Sequence, residues 1–187
     1  SGLLTHYSGW NKIEQATLSF GYGLSVTPLQ LARAYSALAG DGNLRPVSFL
    51  KLEDSPQAEE IVQVFQPETT RIVRGMLEKV VRKGGTGTKA RVAGYRVAGK
   101  TGTVKKSGVG GYTDDYIALF AGVAPASNPR ISMVVIVDQP TSEEYYGGEV
   151  AAPVFSRVAS GALRLMNVTP DNIPPIGTRV ASLGDSP

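Results

Sequence analysis

The feature that most narrows the fold is a pair of apolar segments, Tyr116 to Val123 and Ile131-Ser132-Met133-Val134-Val135-Ile136-Val137. Only a short turn, Pro125 to Pro129, lies between them. Strands joined so tightly run antiparallel, because a parallel pair needs a crossover of about a dozen residues or more. The second segment carries no charge, so it reads as a central strand buried on both faces. Tyr95 to Val104 is a third strand candidate. Helical stretches lie before and after these strands, and the order of helices, antiparallel strands and a covering helix is an α+β pattern: an antiparallel sheet flanked by helices.

The helices announce their own ends. Trp10 to Leu18 predicts a short helix with Trp10, Ile13 and Thr17 on one face, broken by Gly21 and Gly23. Thr27-Pro28 opens the clearest helix, since threonine caps well and proline at the first helical position gives up an N–H that has no partner there. Leu31, Ala32, Tyr35, Leu38 and Ala39 follow at helical spacing, and Gly40-Asp41-Gly42-Asn43 stops the run. Arg45 to Leu52 alternates and predicts a strand. Pro67 opens another helix with Val73, Met76, Leu77, Val80 and Val81 inward, and Arg71, Arg74, Glu78 and Arg82 outward. Gly84-Gly85-Thr86-Gly87 ends it. Gly147-Gly148 leads into a last helix whose inward face is Ala151, Val154, Phe155, Val158, Ala162, Leu165 and Met166. From residue 169 to 187 periodicity is lost, which predicts a flexible C-terminal tail after a folded unit spanning 1–168.

Composition removes several function classes. With 187 residues and 42% hydrophobic content the chain can bury a core, yet no apolar run approaches the length of a membrane span. Ser1-Gly2-Leu3-Leu4 has neither the basic nor the apolar region of a signal peptide, which leaves room for an anchor upstream. The net charge of +3 is small, and the basic residues are scattered apart from pairs such as Arg82-Lys83 and Lys105-Lys106, so no nucleic-acid surface is expected. There is no cysteine, which excludes disulfides and thiolate chemistry. The single histidine, His6, sits in a polar stretch and reads as surface. No metal-ligand set and no cofactor motif is visible. Asp114-Asp115 and Glu143-Glu144 read as solvated acids in loops.

The chemistry concentrates in Ala98-Gly99-Lys100-Thr101-Gly102-Thr103. Glycine weakens a strand and often marks close approach of a ligand or another backbone. Alternation places Lys100 and Gly102 on one side and Thr101 and Thr103 on the other. On an edge strand, such a set offers a cation, two hydroxyls and free amides to a carboxylate or an oxyanion. A plain edge strand with a solvated lysine is the alternative.

More than this hexapeptide carries a resemblance. Phe20-Gly21-Tyr22-Gly23, Val26-Thr27-Pro28-Leu29-Gln30-Leu31-Ala32, Gly94 to Thr103, Phe120-Ala121-Gly122-Val123-Ala124-Pro125, and Tyr145-Tyr146-Gly147-Gly148 with Ala152-Pro153-Val154-Phe155 occur in this order. The chain thereby resembles the class B penicillin-binding proteins, above all the division-specific type often called penicillin-binding protein 3, from about Trp10 to about Asp171. The resemblance implies the C-terminal part of a transpeptidase domain of the penicillin-binding and serine β-lactamase-like fold. It implies a serine-type D,D-transpeptidase that cross-links stem peptides during septal peptidoglycan synthesis and binds β-lactams, without a cofactor. The partners implied are D-Ala-D-Ala stems, β-lactam antibiotics, the upstream half of the same protein and membrane proteins of the division complex. The place implied is the periplasmic face of the bacterial inner membrane. By the same resemblance Lys100 supplies positive potential near the nucleophile, and Thr101 and Thr103 hold the ligand carboxylate with Gly102 between them. The Thr103 N–H forms half of an oxyanion hole, and Tyr116, Tyr145 and Tyr146 make an aromatic wall.

One departure stands out. The family uses a serine with a lysine three residues on, and a Ser-x-Asn; this sequence has no Ser-x-Asn. Its one Ser-x-x-Lys, Ser48-Phe49-Leu50-Lys51, falls in the expected strand, where residues three apart point to opposite faces. Both family motifs are therefore expected upstream of Ser1. Two rivals stand beside this reading: a β-lactamase or D,D-carboxypeptidase, which shares the Lys-Thr-Gly strand but is opposed by the Thr-Pro-Leu-Gln helix and the block from Tyr145 to Phe155, and a non-catalytic interaction module built on the same fold.

Overall fold

A computed structural model describes residues 2–51, 60–108, 111–141 and 143–173. Strand β1 (Leu3–Leu4) pairs antiparallel with β2 (Leu24–Ser25), and helix α1 (Lys12–Leu18) lies between them in sequence. α1 begins later than the apolar spacing suggests. Trp10 instead closes a single 3-10 turn, Tyr7–Gly9, and its indole N–H donates to the Thr5 carbonyl at 2.9 Å. The reason is Asn11, whose side chain accepts from the N–H groups of Ile13 and Glu14, both at 2.9 Å, while Glu14 accepts from the Asn11 N–H. That reciprocal cap sets the helix start. Ile13, expected on an inward face, is 74% exposed.

Helix α2 (Pro28–Ala39) starts where Thr27-Pro28 predicts. The Gln30 N–H donates to Thr27 Oγ1 at 3.1 Å, and the Thr27 N–H donates back to Gln30 Oε1 at 2.9 Å. Strand β3 (Asn43–Leu44) pairs with β4 (Val62–Gln63). The strand expected over Arg45 to Leu52 is not formed: 45–51 is irregular, and Leu52 lies outside the described residues. Pro46 has no N–H to give a ladder. Among the described residues nothing covers Phe49 and Leu50, which stand 90% and 80% exposed.

Helix α3 (Pro67–Val81) also follows its proline, but its faces differ from the expected ones. Met76 is exposed, and Glu78, placed outward by pattern, is buried. The burial is tolerated because Arg96 grips Glu78 with two N–H donors at 3.1 and 2.7 Å, and Arg82 approaches it at 3.5 Å. A paired carboxylate escapes most of the cost of leaving water. The Gly84–Gly87 stop is as expected, closed by the Gly87 N–H on the Val80 carbonyl at 2.9 Å.

Three long strands follow: β5 (Ala98–Gly108), β6 (Gly111–Ala124) and β7 (Ile131–Asp138), antiparallel in the order β5-β6-β7. β6, not the apolar Ile131–Val137 segment, is the central strand of this sheet. β7 has helices on both faces but lies at an edge, and its residues are mostly half-buried. Ile131, Met133, Val135 and Val137 pack toward the core beneath α5 (Ala152–Leu165), which follows the short α4 (Gly147–Val150). On the opposite face the Ser132 hydroxyl donates to the Ala32 carbonyl of α2 at 2.8 Å. An apolar strand thus reports helices above and below it, not a strand on each side.

The main core joins Phe120 of β6 to Phe155 and Leu163 of α5, with Ala124, Ala152 and Ala159 filling between them. The two phenyl rings meet edge-on, with centroids 4.8 Å apart. The buried face of α5 is Ala152, Phe155, Ala159 and Leu163. Val158, Leu165 and Met166, expected inward, are 51%, 86% and 45% exposed. Alanines face the sheet because Phe120 and Phe155 already occupy the space there. A smaller core on the other face combines Ala39, Ala98, Val123 and Ala126 with Tyr35 and Leu77, so helices cover both sides of the sheet. Beyond α5 the chain is tied back at Asp171, whose carboxylate accepts from the Arg96 N–H at 2.7 Å and from Ser127. Of the tail expected from 169 to 187, residues 174–187 lie outside the described residues.

Candidate active site

β5 is an edge strand, so its outer side is open to a ligand. Its register against β6 is Thr101 opposite Phe120, Gly102 opposite Leu119 and Thr103 opposite Ala118. Cross-strand partners share a face, and period two puts Thr101 and Thr103 together, with Lys100 and Gly102 on the reverse. Lys100 is exposed, and its ammonium donates to the Thr101 carbonyl at 3.1 Å, back along the strand's own edge.

The threonine face is where α4 arrives. The Gly147 N–H donates to Thr103 Oγ1 at 3.1 Å. A Cβ on Gly147 would overlap the carbonyl oxygens of Leu119 and Gly102, and one on Gly148 would overlap the Thr86 carbonyl. The two glycines are therefore required for α4 to lie against the strand. Thr101 Oγ1 is 2.8 Å from Thr86 Oγ1. Lys89 and Glu149 form an ion pair that holds the turn after α3 to α4, and this pairing raises the Lys89 pKa.

Tyr116, Tyr145 and Tyr146 converge on the same face. Tyr116 is two residues before Ala118 on β6, and its ring stacks on Tyr145 at 4.1 Å between centroids; Tyr145 stacks on Tyr146 at 4.5 Å. The Tyr145 and Tyr146 hydroxyls lie 3.3 Å apart, and this hydrogen bond raises the Tyr146 pKa. Lys105 stands over the Tyr116 ring, 5.6 Å from its centroid, and pairs with Asp114 at 3.1 Å. That hydrogen bond to Asp114 raises the Lys105 pKa, and Asp114 lies within β6 rather than in the expected loop. The tyrosine stack leads directly into Gly147, so the ladder and the two threonines form one continuous surface.

All seven residues singled out in the sequence are thus in one neighbourhood: Thr101, Thr103, Tyr116, Tyr145 and Tyr146 on one face, Gly102 between the threonines, and Lys100 at the edge. Sequence reasoning missed Thr86, which it read only as part of a helix stop, and the Lys89–Glu149 link. Neither has a local signature, since the partners are 15 and 60 positions apart. Ser48 has no part in this surface: its hydroxyl donates to the Leu50 carbonyl at 2.8 Å and accepts the Leu50 N–H at 3.0 Å, closing a tight exposed turn.

A cavity of about 800 Å³ lies elsewhere, lined by Glu78, Arg82, Lys83, Arg91, Arg96 and neighbours, and contains none of the Lys-Thr-Gly-Thr residues. Its arginines are engaged structurally: Arg96 on Glu78, and Arg91 Nε on the Val81 carbonyl at 2.8 Å. Size alone does not make it the reactive site. Among the described residues no three histidine, aspartate or glutamate side chains cluster to hold a metal ion, and no helix is long and apolar enough to cross a membrane.

Residues 1–160 match the penicillin binding protein transpeptidase domain. The chain is 49% identical over 172 residues to the peptidoglycan D,D-transpeptidase FtsI of Escherichia coli, covering 91% of this chain and 29% of that protein. It is 48% identical over 171 residues to the probable peptidoglycan D,D-transpeptidase PenA of Neisseria meningitidis, again covering 91% of the chain and 29% of the relative. The fold superposes on the apo transpeptidase domain of Burkholderia pseudomallei penicillin-binding protein 3 with a TM-score of 0.83 at 49% identity, covering 92% of this chain and 52% of that one. The chain thus spans less than a third of the curated relatives' length, and over that span it belongs to the penicillin-binding protein transpeptidase-domain family.

Proposed function

We propose that this chain forms the ligand-binding wall of a septal peptidoglycan D,D-transpeptidase. The observation that carries the proposal is the pair of threonine hydroxyls on one face of an edge strand, with a tyrosine stack beside them and a cation at the edge. A D-Ala-D-Ala stem ends in a carboxylate, and a β-lactam carries one in a similar place. Thr103 suits that group: the Gly147 N–H fills one of its lone pairs, so its hydrogen stays free to donate.

The reaction proposed is acyl transfer. A serine contributed by sequence before this segment attacks the penultimate D-Ala carbonyl, the C–N bond breaks, and D-Ala leaves with a proton. An amine of a neighbouring stem then attacks the ester and regenerates the serine. Lys100 contributes positive potential that favours the deprotonated nucleophile, and the Thr103 N–H shares in holding the developing oxyanion. Tyr116, Tyr145 and Tyr146 flank the ligand. Action at the periplasmic face of the inner membrane and contacts with division proteins belong to the same proposal, supported by the similarity to FtsI.

The test is the second-order acylation rate of the full-length protein with a fluorescent penicillin. A hydrogen bond to a charged group contributes about 1.5–3 kcal/mol, so Thr103→Val is expected to lower the rate about tenfold to a hundredfold. Lys100→Ala is expected to lower it further. Parent rates for both variants, with melting temperatures intact, would remove this strand from the ligand site and favour a non-catalytic role for the fold. The isolated 187-residue chain is expected to form no covalent adduct by intact mass, and an adduct at Ser48 would refute that.

A further inference from the structure

Thr86 sits in the turn that ends α3, yet its hydroxyl lies 2.8 Å from that of Thr101. The turn is held from two sides. The Gly85 N–H donates to the Arg82 carbonyl and the Gly87 N–H to the Val80 carbonyl, both at 2.9 Å. From the other side Gly148 packs against the Thr86 carbonyl, and Lys89 reaches Glu149. The backbone of Thr86 is therefore fixed while its side chain stays exposed. An exposed hydroxyl pair exchanges one water contact for another, so it adds little to folding.

We infer that Thr86 is a positioning residue that sets Thr101 as a hydrogen-bond donor toward a ligand carboxylate. The inference rests on the reading of Thr101 and Thr103 as the carboxylate grip. A hydroxyl has one hydrogen and two lone pairs. With no anion present either threonine can donate to the other. A carboxylate only accepts, so Thr101 must spend its hydrogen on the ligand, and Thr86 then supplies the hydrogen between the two. The chain runs Thr86 to Thr101 to carboxylate, and each bond polarises the next. Thr103 stands in the same relation to the Gly147 N–H. Each threonine of the grip thus has one protein donor behind it, a backbone amide for Thr103 and a side chain for Thr101. The side chain is the one that substitution can remove.

The experiment separates ligand capture from the limiting acylation rate in the full-length protein, using the same fluorescent penicillin. Thr86→Val is expected to weaken capture about threefold to tenfold, the range of one neutral hydrogen bond, with the limiting rate unchanged within about twofold. Thr86→Ser restores the hydroxyl and is expected to restore capture, which a purely steric role would not produce. In a Thr101→Val background, Thr86→Val is expected to have no further effect. If Thr101→Val alone leaves capture unchanged, the carboxylate reading itself fails. If Thr101→Val weakens capture but Thr86→Val does not, or if the two losses multiply in full, the Thr86 inference fails alone. Thr86→Ala must reproduce the Thr86→Val pattern, and a melting temperature for each variant keeps a folding loss distinct from a capture loss.

Discussion

The first fifty residues and the sheet region both mark their helix starts but differ greatly in burial. Both begin helices with well-formed signals: capping boxes at Asn11 and Thr27, and prolines opening α2, α3 and α5. In the sheet region Phe120, Phe155 and Leu163 have no exposure at all. Among the described residues of the first fifty, the only buried apolar side chains are Ala37 and Ala39, while Leu3, Leu4, Ile13 and Phe20 are 71%, 65%, 74% and 67% exposed. Capping defines where a helix starts and stops; it does not supply a surface to lie on. The matched penicillin-binding protein 3 domain is about twice the length that this chain covers, so its relatives have additional chain to offer that surface.

The largest expected effect lies in the core. Phe155→Ala should cost about 3–5 kcal/mol in denaturant unfolding, because it removes a large side chain and leaves a cavity against Phe120. Ile13→Ala in the 187-residue chain should stay within about 0.5 kcal/mol. Equal losses would break the contrast. A clearly larger loss for Ile13→Ala in the full-length protein would sharpen it, by showing that the rest of the domain covers this face.

Next comes the buried ion pair. Glu78→Ala leaves the Arg96 guanidinium without its carboxylate; a fully buried pair would lose about 3–5 kcal/mol. Arg96 is 43% exposed, so solvent screens the loss to roughly 1–2 kcal/mol. A double-mutant cycle with Arg96→Ala measures the coupling, and a coupling near zero would mean that Glu78 is buried for packing alone. Smaller still, Thr27→Ala should cost about 1 kcal/mol and speed hydrogen exchange in α2 without speeding exchange of the protected amides in β6. Loss of β6 protection would show that the two regions unfold as one.

The smallest effect is the Lys89–Glu149 link. Its pairing raises the folded pKa of Lys89 above the ordinary 10.5, so its contribution is present below that value and is lost as pH rises through the raised one. The difference in melting temperature between parent and Lys89→Met should therefore be steady near neutrality and shrink above pH 10.5. A difference that persists at the alkaline end would assign Lys89 to packing through its methylenes.

The sequence by itself determined the starts of α2 and α3, the antiparallel run of the long strands, and the membership of Lys100, Thr101, Gly102 and Thr103 in one strand with alternating faces. These depend on neighbours a few residues apart, on caps, prolines and period-two alternation, and such information is local. Tertiary structure alone decided that β6 is central, that Glu78 turns inward, that α5 shows alanines to the sheet, and that 45–51 is no strand. Each of these depends on what arrives from elsewhere: Arg96 for Glu78, the Phe120 ring for α5, and, among the described residues, no face over Phe49 and Leu50. The same holds at the site. The hydroxyls of Thr101 and Thr103 could be read from the chain, but their partners Thr86 and Gly147 come from a turn and a helix that only folding brings to the strand. Hydrogen-bond partners are set by distance in space, and spacing along the chain does not encode it.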